Sequence, residues 1–442
     1  MSIRLVLVRH GLSSFNEKGL IQGRTDDSYL TDVGYEQALK SGKALSGISF
    51  NKIYSSPLVR AAETAKTIQQ NLKGGNNIIY DKNLLEVDLG SWSGLTINEI
   101  KNKYPENYLL WKNDPENLKL KNIQNLTYKP IQELYDQANE FIKNIFKVYT
   151  EKNEANILII GHNAILRCLI LLLIGQPKKG FRKIKLDNAS FSILNISKYR
   201  NSYKTQVECL NQTSHLDKKI PDQIGDSRIF LVRHGETNWN KEGRFQGQRN
   251  IPLNNNGKEQ AEKASKYLRE INFNKAFSSS MDRPYETAQI ILQHNSDLEI
   301  TKIERLVEIS HGLWEGKLEN EIKEEWPELL KNWHEKPEVV IMPEGESIKE
   351  VSERSIKAWE EISLAQKNKD LTLLVAHDAV NKTLICNLLG INFSNIWMIK
   401  QGNGGITIID IFNDPQKDNV ISALNITTHL GGVLDSTASG AL

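Results

Sequence analysis

The chain carries one long sequence pattern twice, and this duplication limits its fold more than any other feature. The string LVRHG begins at Leu7 and again at Leu231, and IIGHNAILRCLI from Ile159 is matched by LVAHDAVNKTLI from Leu374. Matching positions stay about 220 residues apart, from 224 for the RHG histidines to 215 for the late histidines. Solenoid repeats have periods of about 20–50 residues, so this spacing indicates that a whole domain was duplicated.

The pattern predicts two domains joined by a short linker. We expect a first domain over 1–217, a linker over 218–227 and a second domain over 228–434. The linker sequence KKIPDQIGDS is polar and contains Pro and Gly, which is typical of connecting segments. Residues 435–442 are small and polar, and we expect them to be disordered.

Short β-branched runs such as IRLVLV and RIFLV predict buried strands. They alternate with segments of helical periodicity, two of which begin near expected caps at Thr31 and Asn256. Strands that alternate with helices indicate βα units. We therefore predict an α/β protein made of two tandem three-layer α/β/α domains with mainly parallel sheets.

Composition limits the partners and the compartment. With 56 Lys and Arg against 54 Asp and Glu, the net charge of +2 gives no electrostatic reason to expect nucleic acid or an anionic membrane as a partner. The apolar stretch 157–175 is broken by His162 and Arg167, so it predicts a strand and a buried helix. Three cysteines without metal-ligand spacing favour a reduced compartment. We expect a cytoplasmic protein without a metal; the sequence makes no prediction of its oligomeric state.

Each half contains the same ordered set of titratable residues, Arg, His, Arg, Glu and His. The two sets are Arg9, His10, Arg60, Glu86 and His162, and Arg233, His234, Arg283, Glu308 and His377. Most members follow predicted strands, and the carboxyl ends of strands are where open α/β sheets bind ligands.

This set suits phosphoryl transfer. Two guanidinium groups can bind a phosphate in bidentate fashion and lower the pKa of a neighbouring imidazole, which keeps it neutral and nucleophilic. A histidine nitrogen can then accept the phosphoryl group, while a Glu supplies the proton that the departing alkoxide needs. Positioning and charge stabilisation can support this reaction without a metal or other cofactor.

The motifs RHG, QGR, SSPLxRAxETA, LxExxxGxWxG and GHN resemble those of the histidine phosphatase superfamily, also called phosphoglycerate mutase-like, once in each half. The tandem layout is similar to two-domain members from cyanobacteria and plants. The resemblance implies that His10 and His234 are phosphorylated and that Glu86 and Glu308 are proton donors. The implied phosphate pockets contain Arg9, Asn16, Arg60 and His162, and Arg233, Asn240, Arg283 and His377. The implied substrate loops contain Gln22 and Gly23, and Gln246 and Gly247.

The two halves depart from the family pattern in different ways. The Glu that usually follows RHG is present as Glu236 but is replaced by Leu12 in the first half. The Gly that usually follows the late histidine is replaced by Asn163 and by Asp378. The second half alone has PEGES at 343–347, similar to the family's GGES in the substrate-covering insert. We therefore expect activity more readily in the second half.

The sequence favours hydrolysis over mutase chemistry. Family mutases have a longer, Arg-rich insert between the Glu and the late histidine, whereas these residues are 76 and 69 positions apart here and the second insert is rich in Trp and acidic residues. We predict a phosphatase for small phosphomonoesters of the sugar phosphate, sugar-acid phosphate or phosphoserine type, acting through a phosphohistidine. One alternative is phosphoglycerate mutase-type transfer. Another is that one half, more readily the first, is a non-catalytic metabolite-binding domain.

Other repeated aromatic residues are expected to be structural. Trp111 and Trp333 keep a constant offset of 222 and are interpreted as packing residues of a helical insert. His215 and His429 also pair across the repeat and are expected to be structural. His311 has no counterpart, so a core or surface position is the default.

Overall fold

The computed structural model describes residues 2–74, 76–122, 124–149, 154–176, 180–199, 202–295 and 297–437. The chain divides into two compact units, Met1–Pro221 and Asp222–Leu442.

The first unit is built on a mixed sheet. Its described strands are β1 (Ser2–Arg9), β2 (Lys52–Ser55), β3 (Ile78–Tyr80), β4 (Leu120–Lys121), β5 (Thr127–Tyr128), β6 (Glu154–Gly161), β7 (Phe191–Tyr199) and β8 (Ser202–Gln212). The order across the sheet is β8, β7, β1, β6, β2, β3, while β4 and β5 pair separately. Strands β1, β6, β2 and β3 run parallel, and β7 and β8 are antiparallel additions beside β1.

Helices connect these strands. Those of the first unit are α1 (Ser14–Glu17), α2 (Asp32–Leu45), α3 (Val59–Gln69), α4 (Ile97–Lys103), α5 (Pro105–Asn113), α6 (Pro130–Val148) and α7 (Asn163–Leu173). Helices α2 and α3 pack on each other, and α6 and α7 form another pair. The middle residues of β1 and β6 are buried throughout, as expected for parallel strands covered on both faces.

The second unit repeats this architecture. Its strands are β9 (Ser227–Arg233), β10 (Lys275–Ser279), β11 (Ile300–Ile303), β12 (Leu371–Ala376), β13 (Ile406–Ile411) and β14 (Val420–Ile426). The order is β11, β10, β12, β9, β13, β14, with β9, β10, β11 and β12 parallel and β13 and β14 antiparallel. Its helices are α8 (Asn238–Glu242), α9 (Asn255–Tyr267), α10 (Asp282–Ile291), α11 (Glu319–Glu325), α12 (Pro327–Glu335), α13 (Ile348–Leu364) and α14 (Asp378–Leu389).

The predicted α/β class with mainly parallel sheets is confirmed in both units. The cap at Thr31 is also confirmed, because its side chain accepts a hydrogen bond from Gly34 at the start of α2. The cap of α9 is Asn254, which accepts from the Gly257 amide, so the expected cap at Asn256 is wrong by two residues. Asn254 satisfies an amide that otherwise has no partner at a helix start.

Three details concern the segments between and beyond the predicted domains. Ser227, at the end of the expected linker, is the first residue of β9. Asp435 accepts hydrogen bonds from the amide and hydroxyl of Thr437, so 435–437 differ from the disorder expected there. The rest of the expected disordered tail, 438–442, lies outside the described residues. In the described part of the chain, no helix has the length and apolarity needed to cross a membrane.

Candidate active site

The histidines of RHG and GHN in the first unit lie side by side at the ends of neighbouring strands. Arg9 of β1 pairs with Gly161 of β6, so His10 and His162 follow at the same edge of the sheet. Their ring centroids are 5.1 Å apart and the rings meet edge to face. Both side chains are buried. Parallel strand pairing therefore brings together two residues that are 152 positions apart in the sequence.

The two imidazoles are oriented by different hydrogen bonds. His10 Nδ1 lies 2.7 Å from the carbonyl oxygen of Gly11, which can only accept, so Nδ1 carries the proton and Nε2 keeps its lone pair. His162 Nε2 lies 2.8 Å from Ser56 Oγ, and its buried Nδ1 has no hydrogen-bond partner within the described ranges. His10 Nε2 can thus act as a nucleophile, while His162 Nδ1 is available to contact a ligand.

Two arginines border these rings. Arg60 stands in the first turn of α3 and donates to the carbonyls of Gly23 and Thr25, both at 2.9 Å. Arg9 donates to the Leu186 carbonyl at 2.8 Å. Among the described residues, the buried Nε atoms of both arginines have no hydrogen-bond partner. Buried donors of this kind call for an acceptor, and an anion such as phosphate would provide it.

Burial and positive charge keep both histidines neutral. Burial is the largest cause that holds the pKa of His10 well below its usual value, and Arg60 and Arg9 lower it further. Burial also dominates the low pKa of His162, followed by Arg60, His10 and Arg9. The sequence argument named the arginines but omitted burial, which is the stronger effect.

Glu86 reaches the same place from the segment after β3. Its carboxylate accepts hydrogen bonds from the amides of Ala164 and Ile165, at 3.1–3.2 Å, at the start of α7. The Val87 amide donates to it as well, at 2.9 Å. The amides fix the carboxylate next to the helix that begins after His162, where a proton donor to a bound phosphomonoester would be needed.

Amide side chains complete the first site. Asn16 Oδ1 accepts from Ser13 Oγ and from Asn188 Nδ2, both at 3.0 Å, so Asn16 Nδ2 is the end left to donate to a ligand. Gln22 Oε1 accepts from Ser28 Oγ at 3.1 Å. Gly23 has a positive φ of 52°, and its carbonyl accepts from Arg60. A glycine at this position allows the loop to turn back onto the arginine.

The second unit reproduces this arrangement. Its buried set is Arg233, His234, Asn240, Arg283, Glu308 and His377. The two histidine rings are 5.2 Å apart. Nδ1 of His234 lies 2.7 Å from the Gly235 carbonyl, and Nε2 of His377 lies 2.9 Å from Ser279 Oγ. Arg283 Nε donates to His234 Nε2 at 3.2 Å, which agrees with a lone pair on that nitrogen.

The remaining members of the second site follow the first. Asn240 Oδ1 accepts from the Thr237 amide at 3.1 Å, and Gln246 Oε1 accepts from Thr237 Oγ1 at 2.9 Å. The Gly247 carbonyl accepts from Arg283 at 2.9 Å. Both substrate loops therefore take the same hydrogen bonds to the buried arginine.

The acids of the second site differ from those of the first. Glu308 accepts from the amides of Asp378 and Ala379 at the start of α14, at 3.0 and 3.4 Å. Burial raises the pKa of Glu308, and the Asp378 carboxylate raises it further. Asp378 itself lies 3.6 Å from Arg233 and 2.8 Å from Lys382. The second site thus contains a carboxylate where the first has the neutral Asn163.

The two cavities have very different sizes. The first has a volume of about 170 Å³ and extends from His10 past Trp111 and Phe181. The second has a volume of about 10 Å³, and its lining residues are Arg233, His234, Asn240, Gln246, Gly247, Arg283, Glu308, His311 and Asp378. The first site has room for a leaving group beside the phosphate, and the second is confined to the phosphate pocket.

Sequence reasoning missed Asn188 and its counterpart Asn403. Asn188 Nδ2 donates to the carbonyls of His10 and Gly11, at 3.0 and 3.2 Å. Asn403 Nδ2 donates to the His234 carbonyl at 3.2 Å. These residues are 215 positions apart, the same offset as the late histidines, and this spacing is the signal that could have found them.

Several cavity residues were also missed or misread. Arg167 and Arg182 line the first cavity and were not in the predicted set. Trp111 was interpreted as a packing residue but stands on the cavity wall, whereas Trp333 is fully buried as expected. His311 lines the second cavity, and burial lowers its pKa to about 3.

Two departures from the family pattern lie outside the pockets. Glu236 accepts from Asn254 Nδ2 at 2.8 Å and does not line the second cavity, so Leu12 in its place leaves the first pocket intact. Glu346 of PEGES pairs with Arg354 at 2.8 Å, and Arg354 donates to the Glu308 carbonyl at 2.9 Å. PEGES therefore supports the Glu308 segment and is not part of the cavity wall.

Comparison with known proteins agrees with this geometry. Residues 5–208 and 229–425 both match the family described as the histidine phosphatase superfamily (branch 1), so the chain belongs to that superfamily. The family predicted from the motifs is confirmed.

Relatives extend over the whole chain or over one half. The chain is 27% identical to a 2-carboxy-D-arabinitol-1-phosphatase of Triticum aestivum, over 97% of this chain and 86% of the relative. It is 35% identical to phosphoserine phosphatase 1 of Hydrogenobacter thermophilus, over 46% of this chain and 94% of the relative. A 2,3-bisphosphoglycerate-dependent phosphoglycerate mutase of Bartonella henselae is 30% identical over 45% of this chain and 98% of the relative. The predicted enzyme class, phosphoric monoester hydrolase with a mutase as runner-up, is confirmed at this level.

Proposed function

We propose that the protein hydrolyses small phosphomonoesters of the sugar phosphate, sugar-acid phosphate or phosphoserine type, and that His10 and His234 each carry the phosphoryl group in turn. One observation carries the proposal: in each half a buried, neutral imidazole keeps its Nε2 lone pair beside two arginines and a glutamate. This arrangement favours two catalytic halves over the alternative that the first half only binds a metabolite. Phosphatase names among relatives of the whole chain and of one half support the reaction class.

In the first step the phosphoryl group moves to histidine. Arg9, Arg60 and the Asn16 amide hold the phosphate oxygens, with His162 Nδ1 as a further contact. His10 Nε2 attacks phosphorus as the bond to the ester oxygen breaks. Glu86 gives a proton to the departing oxygen, so the alcohol leaves neutral.

In the second step water replaces the alcohol. Glu86, now a carboxylate, accepts a proton from water as the oxygen attacks phosphorus and the bond to His10 Nε2 breaks. Phosphate leaves, and the imidazole returns to its starting tautomer because Nδ1 keeps the proton that it donates to the Gly11 carbonyl. In the second half His234 and Glu308 take the same roles.

Phosphoglycerate mutase-type transfer is the second candidate, because a named mutase matches one half of the chain. The relatives of the whole chain are phosphatases, which supports hydrolysis as the main activity. Incubation with 3-phosphoglycerate separates the two reactions. We expect release of inorganic phosphate to exceed formation of 2-phosphoglycerate, and the opposite ratio would establish a mutase.

Single substitutions test the role of each half. We expect His10→Ala and His234→Ala each to remove one labelled histidine when the chain is incubated with a ³²P-phosphomonoester and quenched without acid. The double variant should lose both the label and turnover. Turnover that survives in the double variant would contradict the proposal, and label confined to His234 would return the first half to a binding role.

We also propose a cytoplasmic location, with a small-molecule substrate and no nucleic acid partner. The balanced charge and the small number of cysteines, three and all buried, support this. We also propose that the chain folds as two domains, over 1–217 and 228–434, joined by a short linker.

A further inference from the structure

The halves differ most at the side of the cavity away from the phosphate. Arg167 follows His162 by five positions, and Lys382 follows His377 by five. Arg182 donates to the backbone carbonyl of Trp111. In the second half the equivalent hydrogen bond, 2.9 Å long, runs from Trp397 Nε1 to the Trp333 carbonyl.

Both arginines of the first half are held against the cavity wall. The Arg182 guanidinium lies 4.7 Å from the centre of the Trp111 ring and 5.5 Å from that of Phe181. The Arg167 guanidinium lies 5.4 Å from the Phe181 ring and donates to its carbonyl at 3.3 Å. The buried Nε atoms of both have no hydrogen-bond partner in the part of the chain that the structure describes. Stacking on aromatic faces fixes the two groups without neutralising them.

Carboxylates act on the positive charge of this pair only without direct contact. Within the part of the chain that the structure describes, neither arginine forms an ion pair within 4 Å. Glu116 opposes the effect of burial on Arg182, and Glu86 opposes it on Arg167, each from a greater distance. Burial lowers the pKa of Arg167 to about 9 and that of Arg182 to about 10, so both stay charged at neutral pH. Buried cations close together are costly unless an anion joins them.

In the second half, a carboxylate of the chain itself lies beside the corresponding cations. Asp378 lies 2.8 Å from Lys382 and 3.6 Å from Arg233, so carboxylate and cations offset each other. The uncharged Trp397 stands where the first half has Arg182. Lys382 also lies 5.1 Å from the Trp397 ring.

We propose that Arg167 and Arg182 form a second anion subsite, and that the first half therefore selects phosphomonoesters whose alcohol carries a carboxylate or another anionic group. This inference rests on the proposed phosphatase function. The subsite belongs to the same cavity as His10, and the volume of about 170 Å³ gives space for an acidic leaving group. The second half, with Asp378 facing its cavity, would repel such a group.

A matched pair of substrates tests the subsite in the His234→Ala background, where only the first half can turn over. 3-Phosphoglycerate and glycerol 3-phosphate share a carbon chain and differ in the carboxylate. We expect Arg167→Gln/Arg182→Gln to lower the ratio of their kcat/KM values at least tenfold. The control Lys112→Gln/Lys119→Gln removes two exposed positive charges, and we expect the ratio of the two kcat/KM values to stay within twofold.

A binding measurement separates failure of the inference from failure of the proposed function. Calorimetry on the inactive His10→Ala/His234→Ala chain gives the affinities for both compounds without turnover, and the arginine substitutions should weaken 3-phosphoglycerate selectively. An unchanged ratio in both measurements would overturn the subsite. Selective binding without phosphate release by the His234→Ala variant would instead keep the subsite and refute hydrolysis in the first half.

Discussion

At the residue scale, the nucleophile loop depends on an amide side chain far away in sequence. Asn188 joins the carbonyls of His10 and Gly11 to Asn16 Oδ1 through one NH₂ group. The carbonyl of Gly11 also accepts from His10 Nδ1. Asn188 therefore acts as a positioning residue, because it orients both the nucleophile and the amide that would contact phosphate.

We expect Asn188→Ala, made in the His234→Ala background, to lower kcat about tenfold while KM changes little. The buried acceptors left without a donor should also reduce the free energy of unfolding by about 1–3 kcal/mol. Steady-state kinetics and urea denaturation measure the two effects. Asn117→Ala, at an exposed position, serves as the control. A loss of stability with unchanged kcat would assign Asn188 a purely structural role.

The titratable residues were predictable from sequence because their types and order recur in both halves. Their surroundings were not, because burial depends on which side chains pack nearby. The largest influence on the pKa of His10 is burial, and Asp378 affects Glu308 through space and not through a motif. Arg182 was missed because its counterpart Trp397 has a different side chain, so no repeated letter marks the position.

At the element scale, the segment carrying the catalytic glutamate is held by a different side chain in each half. In the second unit Arg354 of α13 donates to the carbonyls of Arg305 and Val307, at 2.9 and 2.6 Å, and pairs with Glu346. In the first unit Gln137 of α6 donates to the carbonyls of residues 83 and 85, the equivalent positions. A long helix thus fixes the acid in both units. In the second unit the charged group lies on that helix, whereas in the first Arg24 of the loop after Gly23 donates to the Glu86 carbonyl at 2.9 Å and to Gln137 at 3.0 Å.

We expect Arg354→Gln, in the His10→Ala background, to lower turnover of the second half about tenfold and the free energy of unfolding by about 1–3 kcal/mol, because Glu346 loses its partner. Phosphate release and thermal unfolding measure these changes. Arg305→Gln is the matched control, since its ion pair with Glu361 is more exposed and should contribute at most about 1 kcal/mol. If both variants behaved alike, the support assigned to Arg354 would be refuted.

At the scale of the whole molecule, buried or half-buried neutral histidines occur in both units. Those with lowered pKa values are His10, His162, His215, His234, His311, His377 and His429. Burial is the largest cause for each. Folding therefore keeps protons off groups that would bind them in the unfolded chain.

We expect the free energy of unfolding to fall as pH decreases from about 6.5 to about 4. Above pH 6.5 a histidine is neutral in both states and has no effect; below it, the unfolded chain binds protons that the folded chain excludes. His215, whose pKa is lowered to about 4, should account for a loss of about 2 kcal/mol between pH 7 and pH 5. Urea denaturation across this range measures it.

Substitution identifies the groups responsible. His215→Gln should reduce the pH dependence of the free energy of unfolding, whereas His294→Gln, at an exposed position, should leave it unchanged. Equal slopes for the two variants would contradict the assignment.

The duplication predicted the class of fold correctly, but the sizes of the cavities could not be predicted because they depend on side-chain packing such as that of Trp397 and Trp333.

The short contact between His10 Nδ1 and the Gly11 carbonyl also fixes the regioisomer of the adduct. With Nδ1 occupied by its own main chain, phosphate can be attached only at the tele nitrogen, and the same holds for His234 and Gly235. Phosphorus–nitrogen couplings in an NMR spectrum of the trapped, ¹⁵N-labelled protein distinguish the two attachments. Detection of the pros isomer would mean that the ring must break its backbone contact and turn over before it reacts.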